Sequence, residues 1–386
     1  MKNAALSGKP YAGNPHVRFD EGEVASYPPT VGRPEGVAMR GAKPRRGSLL
    51  YRRFLLVAFA VLVLGPTAFA AEDAAFDERL AVFLADVHVN GLDAYVDQAK
   101  KGKPVKTFMR EFFVRSVDEI LAMNPRPRYV IVFGDIAYLN GRACDYARSK
   151  PQLKRLTDAG IRLTLGLGNH DHRAAFFDAW PEYRERTLLK DHVVTVTEMP
   201  DVDLVMLDTL TDNGVAETRN PANGSLSKAE QRWIVSKLRK WKRPFLVGAH
   251  HRLNGALQVE VKDGKTIPLA EFLLKKCPNY RGFIHGHSHR WVPTPLPDDY
   301  LGRPHLTLPS NGCCGDIGYV LFRMTPERGV ASLVMKDFFK KYKYGLPPEE
   351  RPASWSVRVA DMVGARCTFA FDLGPSVSKT GGDGRH

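Results

Sequence analysis

The sequence predicts an α/β fold whose polar groups gather at one edge of its sheets. Three observations carry that reading. Short apolar runs alternate with helix-like stretches along the chain. Several of those runs stop abruptly in Asp, Asn or His. In α/β folds ligands collect beyond the carboxyl ends of strands, and each of these polar stretches falls there.

Taken in order, Arg79–Ala85 reads as a strand ending at Asp86. Residues 89–106 are polar, with Lys100, Lys101, Lys103 and Lys106, and read as a loop. Thr107 opens a helix to about Met123, with Phe108, Phe112, Val117, Ile120 and Leu121 at roughly helical spacing. Tyr129–Phe133 is an apolar strand running into Gly134-Asp135. A helix is expected near Gln152–Ala159, stopped by Gly160. The strand Leu163–Leu167 delivers Gly168-Asn169-His170-Asp171. Val193–Val196 and Leu204–Leu207 are two further strands. Ser227-Lys228-Ala229-Glu230 has the form of a capping box and opens a helix to about Trp241. Pro244–Ala249 is a strand ending in His250-His251. Leu269–Lys276 is helical, and the short strand Gly282–Ile284 precedes His285-Gly286-His287-Ser288-His289. Tyr319–Met324 and Val330–Met335 pair as a hairpin. Past residue 340 the chain is rich in Lys, Pro and Gly, with one strand at Cys367–Phe371.

The 386 residues are 44% hydrophobic and 25% charged, an ordinary globular composition. Of the net charge of +14, +6 lies in residues 1–53. A moderate positive field favours anionic partners. Basic and aromatic residues do not interleave as they do in nucleic-acid binders, so that class of partner is not expected. None of the five cysteines forms a C-x-x-C pair, which argues against a zinc ribbon. Their pairing cannot be read from the sequence.

Residues 39–70 have the form of an export signal. A basic segment ending in Tyr51-Arg52-Arg53 precedes the apolar run Phe54–Leu64, and Ala68-Phe69-Ala70 supplies small residues for cleavage. The run is too short to span a bilayer comfortably. The mature chain is therefore expected to be exported, periplasmic or secreted, with no stable transmembrane span unless the signal stays uncleaved. Residues 1–38 are either a disordered arm or a stretch ahead of the true start at Met39.

Hard and borderline divalent cations take carboxylate oxygens and imidazole nitrogens. Two such ions about 3.5–4 Å apart can clamp a phosphate and activate one water. The polar stretches supply that inventory. In Asp86-x-His88, alternate residues on an extended chain point the same way. Asp135 follows a glycine that permits a sharp turn. His287 and His289 repeat the alternation.

The series D-x-H, G-D, G-N-H-D, H and G-H-x-H, over about residues 80–335, resembles the calcineurin-like metallophosphoesterase superfamily. The resemblance implies a four-layer α/β/β/α sandwich, with two mostly mixed β-sheets flanked by helices. It implies Asp86, His88 and His289 on one metal ion, Asn169, His250 and His287 on a second, and Asp135 bridging them. His170 would stand by the leaving group, as a general acid or as a stabiliser of developing charge, oriented by Asp171. Val247-Gly248-Ala249-His250 matches the V-x-x-H form of purple acid phosphatases, which favours His250 over His251 as the ligand. His251 would then support a ligand or touch substrate. Gly134-Asp135-Ile136-Ala137-Tyr138 is similar to the G-D-x-x-Y of the same enzymes. Here His88 stands where those enzymes carry glycine, so Tyr138 is read as packing or as support behind a ligand. Arg173 and His172 are expected either against substrate phosphate or on an ordinary surface. His285 is expected to face away from the ions, because Gly286 interrupts the alternation. Asp208-Thr209 reads as support for the site or as a cap. Asn311–Asp316 reads as pocket rim or plain turn.

The expected organisation is an extension over 1–38, a signal over 39–70, a calcineurin-like domain over 76–336 and a C-terminal extension over 337–386. The expected function is an exported hydrolase of phosphoric esters, a phosphodiesterase or phosphatase on a small phosphorylated substrate, with a metal-activated hydroxide attacking phosphorus. Two ions are implied, with Mn, Fe and Zn all compatible with the ligands. A nucleotide or lipid-linked pyrophosphatase, and a metal-binding interaction module with little turnover, are the alternatives. The oligomeric state is not legible.

Overall fold

Apolar strands with both faces covered must lie inside a layered structure, and two such sets of strands make the frame here. The computed structural model describes residues 75–91, 108–215, 218–253, 255–294, 304–312, 315–335 and 368–374. The expected signal, the lysines at 100–106, and Cys313, Cys314 and Cys367 lie outside these residues.

In chain order the elements are β1 (Phe76–Leu84), α1 (Phe108–Ala122), β2 (Arg126–Val132), α2 (Ala143–Asp158), β3 (Arg162–Leu165), α3 (Arg173–Ala179), α4 (Tyr183–Arg186), β4 (Thr195–Glu198) and β5 (Asp203–Met206). There follow α5 (Lys228–Lys237), β6 (Phe245–Ala249), β7 (Gln258–Glu260), β8 (Thr266–Pro268), α6 (Leu269–Lys276), β9 (Tyr280–His285), β10 (Val292–Thr294), β11 (His305–Thr307), β12 (Gly318–Met324), β13 (Arg328–Met335) and β14 (Thr368–Asp372). One six-stranded sheet has the order β14-β13-β12-β1-β2-β3, and the other β10-β11-β9-β6-β5-β4. Both are mixed. β1, β2 and β3 run parallel, as do β5, β6, β9 and β11, while β12–β14, β4 and β10 pair antiparallel.

Alternation along each strand builds the layers. Val82 and Leu84 of β1, with Val130 and Val132 of β2, pack on Phe113, Val117 and Ile120 of α1 and on Tyr146 and Leu153 of α2. Ala81, Phe83, Tyr129 and Ile131 point the other way, toward Leu204, Met206, Leu246, Ile284 and Leu306 of the second sheet. That sheet's far face, with Val205, Phe245, Val247 and Phe283, meets Ile234 of α5 and Leu269, Phe272 and Leu273 of α6. The result is helices, sheet, sheet, helices: the four-layer sandwich.

The differences from the sequence reading have local causes. α2 starts at Ala143, nine residues before the expected Gln152, and carries Pro151 inside it. Pro151 removes one helical N–H, which is why the pattern read as starting after it. α3 and the three-residue strands β7, β8, β10 and β11 are too short to show a period. β14 adds antiparallel to β13, so residues 368–372 extend the edge of the first sheet. Among the described residues no helix is long and apolar enough to cross a membrane.

Candidate metal centre

β1, β2 and β3 of one sheet, and β6 and β9 of the other, all end where the polar motifs begin. The motifs leave those ends through left-handed turns. Asp86, His88, Asp135, His287 and His289 have φ of 52°, 51°, 51°, 68° and 51°. This region costs a non-glycine residue about 1 kcal/mol or more, although Asp and His tolerate it better than most. The expectation that extended alternation aligns Asp86 with His88, and His287 with His289, is therefore corrected. Both strands have already ended, and the positive φ at each residue aims the side chains.

Two groups of ligand-type side chains result. One ligand atom from each of Asp86, His88, Asp135 and His289 lies within 4.8 Å of the others, and the same holds for His250, His251 and His287. Asp135 Oδ2 links the groups, standing 3.1 Å from His250 Nε2 and 3.8 Å from His88 Nε2. Its Oδ1 accepts from the His170 backbone N–H at 2.9 Å. A Cβ on Gly168 would sit 2.1 Å from that Oδ1, so only glycine lets the two loops approach this closely. The Asp86 carboxylate accepts from His287 N–H, and its Oδ1 stands 3.1 Å from His289 Nε2. His250 Nδ1 lies 2.8 Å from the Phe133 carbonyl, which fixes a donating Nδ1–H and turns Nε2 toward Asp135. Asn169, of the motif after β3, is buried, and its Oδ1 has no hydrogen-bond partner.

Burial sets the protonation of the cluster. It pushes His88, His170 and His287 down to about 4, and His251 well below its usual value. These imidazoles are neutral at pH 7, the form that binds a cation. His250 is the exception: burial works against its charge, but Asp135 overrides burial and raises it to about 9. Burial likewise opposes the charge on Asp86 and Asp135. The histidines around them prevail and hold both carboxyls below the usual range. The donor set fits two cations. Mixed carboxylate, imidazole and amide donors suit borderline divalent ions, and imidazole nitrogens crowd each other at 3.1–3.2 Å in both groups.

Other expected residues sit elsewhere. The Asp171 carboxylate makes no hydrogen bond to the His170 ring, whose Nδ1 has no partner, which corrects the orienting role. That carboxylate accepts from the N–H groups of Ile136, Ala137 and Gly168 and from Tyr146 Oη, at 2.9–3.2 Å. It thus ties the loop after β2 to the loop after β3. Burial and the neighbouring Asp135 charge push its pKa up to about 7 against those donors. Arg173 is corrected too. Its guanidinium takes both oxygens of Asp208, at 2.8 and 2.9 Å, and the Leu210 carbonyl, and so braces the fold rather than facing substrate. His172 bridges Asp212 and the Thr218 carbonyl. His285 bonds Thr307 Oγ1 and the Gly286 carbonyl. The Tyr138 ring stands edge-on to His88, with centroids 6.4 Å apart. Ser310, Asn311 and Gly312 grip the backbone of Ala85 and Asp86, while Asp316 N–H donates to the His289 carbonyl. These segments therefore hold the two metal-motif turns in place.

One residue escaped the sequence reading. Arg219 is exposed, and its charge helps to push the His170 pKa down. Thr218 and Asn220, on either side of it, bond His172 and the Asp171 carbonyl. It belongs to no motif, so no pattern could have marked it.

No protein-family model and no curated protein matches the chain. Solved structures do. A dimetal phosphatase from Danio rerio matches at 14% identity and a TM-score of 0.48, over 66% of this chain and 95% of that one. PhoD matches at 12% and 0.43, over 66% and 65%. Vps29 from Entamoeba histolytica with bound zinc matches at 11% and 0.30, over 66% and 92%. Identities and scores this low carry neither fold nor chemistry, which the strands and side chains of this chain must carry themselves. What the chain itself shows is a four-layer α/β/β/α sandwich with its five polar motifs at the sheet edges.

Proposed function

We propose that this protein is a metal-dependent hydrolase of phosphoric esters, acting on a small phosphorylated substrate outside the cytoplasm. One observation carries the reading: two groups of ligand side chains share Asp135, whose Oδ2 is 3.1 Å from His250 and 3.8 Å from His88. Two ions in such a pair supply Lewis acidity to a phosphoryl group and acidify a water between them.

The residues of the chain define the rest. Asp86, His88, Asp135 and His289 hold one position, and Asn169, His250 and His287 the other. His170 and His289 are 16% and 15% exposed while Asp86, His88, Asp135 and His250 are at most 2%, so substrate meets the centre from the His170 and His289 side. The neutral His170 imidazole donates a hydrogen bond to an ester oxygen as its charge develops. Arg219, close enough to act on His170, takes the role at the phosphate that sequence had pointed to in Arg173. Export rests on the signal form of residues 39–70.

The test is hydrolysis of bis-p-nitrophenyl phosphate and p-nitrophenyl phosphate by the manganese-loaded full chain, with Asp135→Asn as control. Cleavage that falls by about a hundredfold or more in the variant supports the reading. Diester or monoester preference then separates phosphodiesterase from phosphatase. Two ions bound per chain with no turnover of either ester, or of a pyrophosphate, would leave an interaction module.

A further inference from the structure

We infer that His251 is a direct third imidazole donor to the second ion, alongside His250 and His287; this rests on the two-ion reading above. His251 follows β6 immediately after His250 and is 2% exposed. One ligand atom from each of the three histidines lies within 4.8 Å of the other two. The His251 ring centroid is 4.9 Å from each of the other two. Its Nε2 is buried with no hydrogen-bond partner.

The other ring nitrogen decides the tautomer. Nδ1 lies 2.8 Å from Thr209 Oγ1, and the same oxygen faces the His251 backbone N–H at 3.3 Å. If Thr209 donated to Nδ1, a proton would be left on Nε2 as a buried donor without an acceptor, at about 1–3 kcal/mol. If Nδ1–H donates to Thr209, Nε2 carries a lone pair directed at the cluster. A histidine whose second nitrogen donates to an oxygen is the usual arrangement of a metal ligand.

The ring is also held from behind. A Cβ on Gly224 would lie 2.5 Å from His251 Cγ and 2.6 Å from Nδ1, so the backbone there presses directly on the imidazole. Ser225 N–H donates to the Thr209 carbonyl at 3.1 Å, which locks that segment to the residue orienting the ring. Thr209 and Gly224 are thus positioning residues for His251. The second position becomes richer in nitrogen than the first, which carries Asp86 as well as Asp135. Imidazole-rich sites favour zinc, cobalt or iron over magnesium.

The test is cobalt binding to the chelator-stripped full chain, followed by visible absorption and calorimetry. In His251→Gln the wild type's two equivalents still bind, the tighter-binding histidine-rich one weakened about 10- to 100-fold with an altered d–d spectrum. Thr209→Val, which keeps the ring and drops its hydrogen bond, weakens the same equivalent by a smaller factor. Unchanged affinity and spectrum in His251→Gln would overturn the proposal and leave the two-ion reading standing. A wild type that takes up no cobalt would overturn both. Nitrogen NMR of the zinc-loaded wild type needs no variant: His88, His250, His251, His287 and His289 should all show zinc-bound nitrogens. A spectrum in which His251 is not among them would overturn the proposal even if His251→Gln does not fold.

Discussion

The Nε2 atoms of His88 and His289 face each other at 3.1 Å, brought together from positions 201 residues apart. Both belong to one group of ligand-type side chains, and Asp86 and Asp135 crowd the same space. Such convergence is unfavourable until a cation fills it. Metal removal should therefore cost stability. An ion held at a hundred times its Kd contributes about 2.7 kcal/mol, and for a domain of this size each kcal/mol shifts Tm by roughly 2–4 °C. Calorimetry of chelated against reloaded protein should show Tm rise by about 5–10 °C on reloading. An unchanged Tm would mean that the cluster holds no ion.

Asp171 gathers four donors from three parts of the chain: Ile136 and Ala137, Gly168, and Tyr146. Asparagine has the same shape but would turn an NH2 group toward N–H donors. Asp171→Asn should cost about 1–3 kcal/mol of unfolding free energy, measured in urea, because an acceptor oxygen is lost and a buried donor goes unpaired. Since the Asp171 carboxylate makes no hydrogen bond to the His170 ring, enzyme that remains folded should keep the wild-type pH profile.

His172 donates from both ring nitrogens, to Asp212 at 3.0 Å and to the Thr218 carbonyl at 2.6 Å. The Asp212 hydrogen bond raises its pKa above 6.5. Burial opposes the Asp212 charge, but His172 and two backbone N–H groups lower its pKa below 3.8. The histidine contribution is complete below pH 6.5 and is lost as pH rises through the raised value. The aspartate contribution is complete above pH 3.8 and is lost as pH falls through the lowered one. The destabilisation caused by His172→Gln should therefore be larger at pH 5 than at pH 9, read from urea midpoints at constant metal. Equal costs at the two pH values would show that His172 is not charged in the folded protein.

Much of this was legible in the sequence because the site grows from strand ends. β6 and the C-terminal halves of β1 and β2 are buried on both faces, so their apolar runs are continuous and their polar terminations stand out. What could not be read depends on backbone partners or on distant segments. The three N–H groups that claim Asp171 leave no mark on side-chain pattern. The positive φ values of Asp86 and His88 come from turns that only the neighbouring loops enforce; Ser310 and Gly312, more than 200 positions away, hold the Asp86 carbonyl. Asp208-Thr209 was legible as support at a strand end, but Gly224, which matters through one histidine ring, belongs to no recognisable motif.

The two arginines near the site should separate cleanly. Arg173 is paired with the fully buried Asp208, whose N–H in turn meets the buried Glu230. Arg173→Met leaves the buried Asp208 carboxylate without its cation. It should cost about 3–5 kcal/mol of stability, with KM little changed in enzyme that stays folded. Arg219 is exposed, in a loop pinned at Thr218 and Asn220, and acts on His170 through its charge. Arg219→Ala should raise KM for p-nitrophenyl phosphate by about tenfold, the loss of one charge-assisted contact. The reverse pattern, with KM sensitive to Arg173 and indifferent to Arg219, would sink the role given to Arg219.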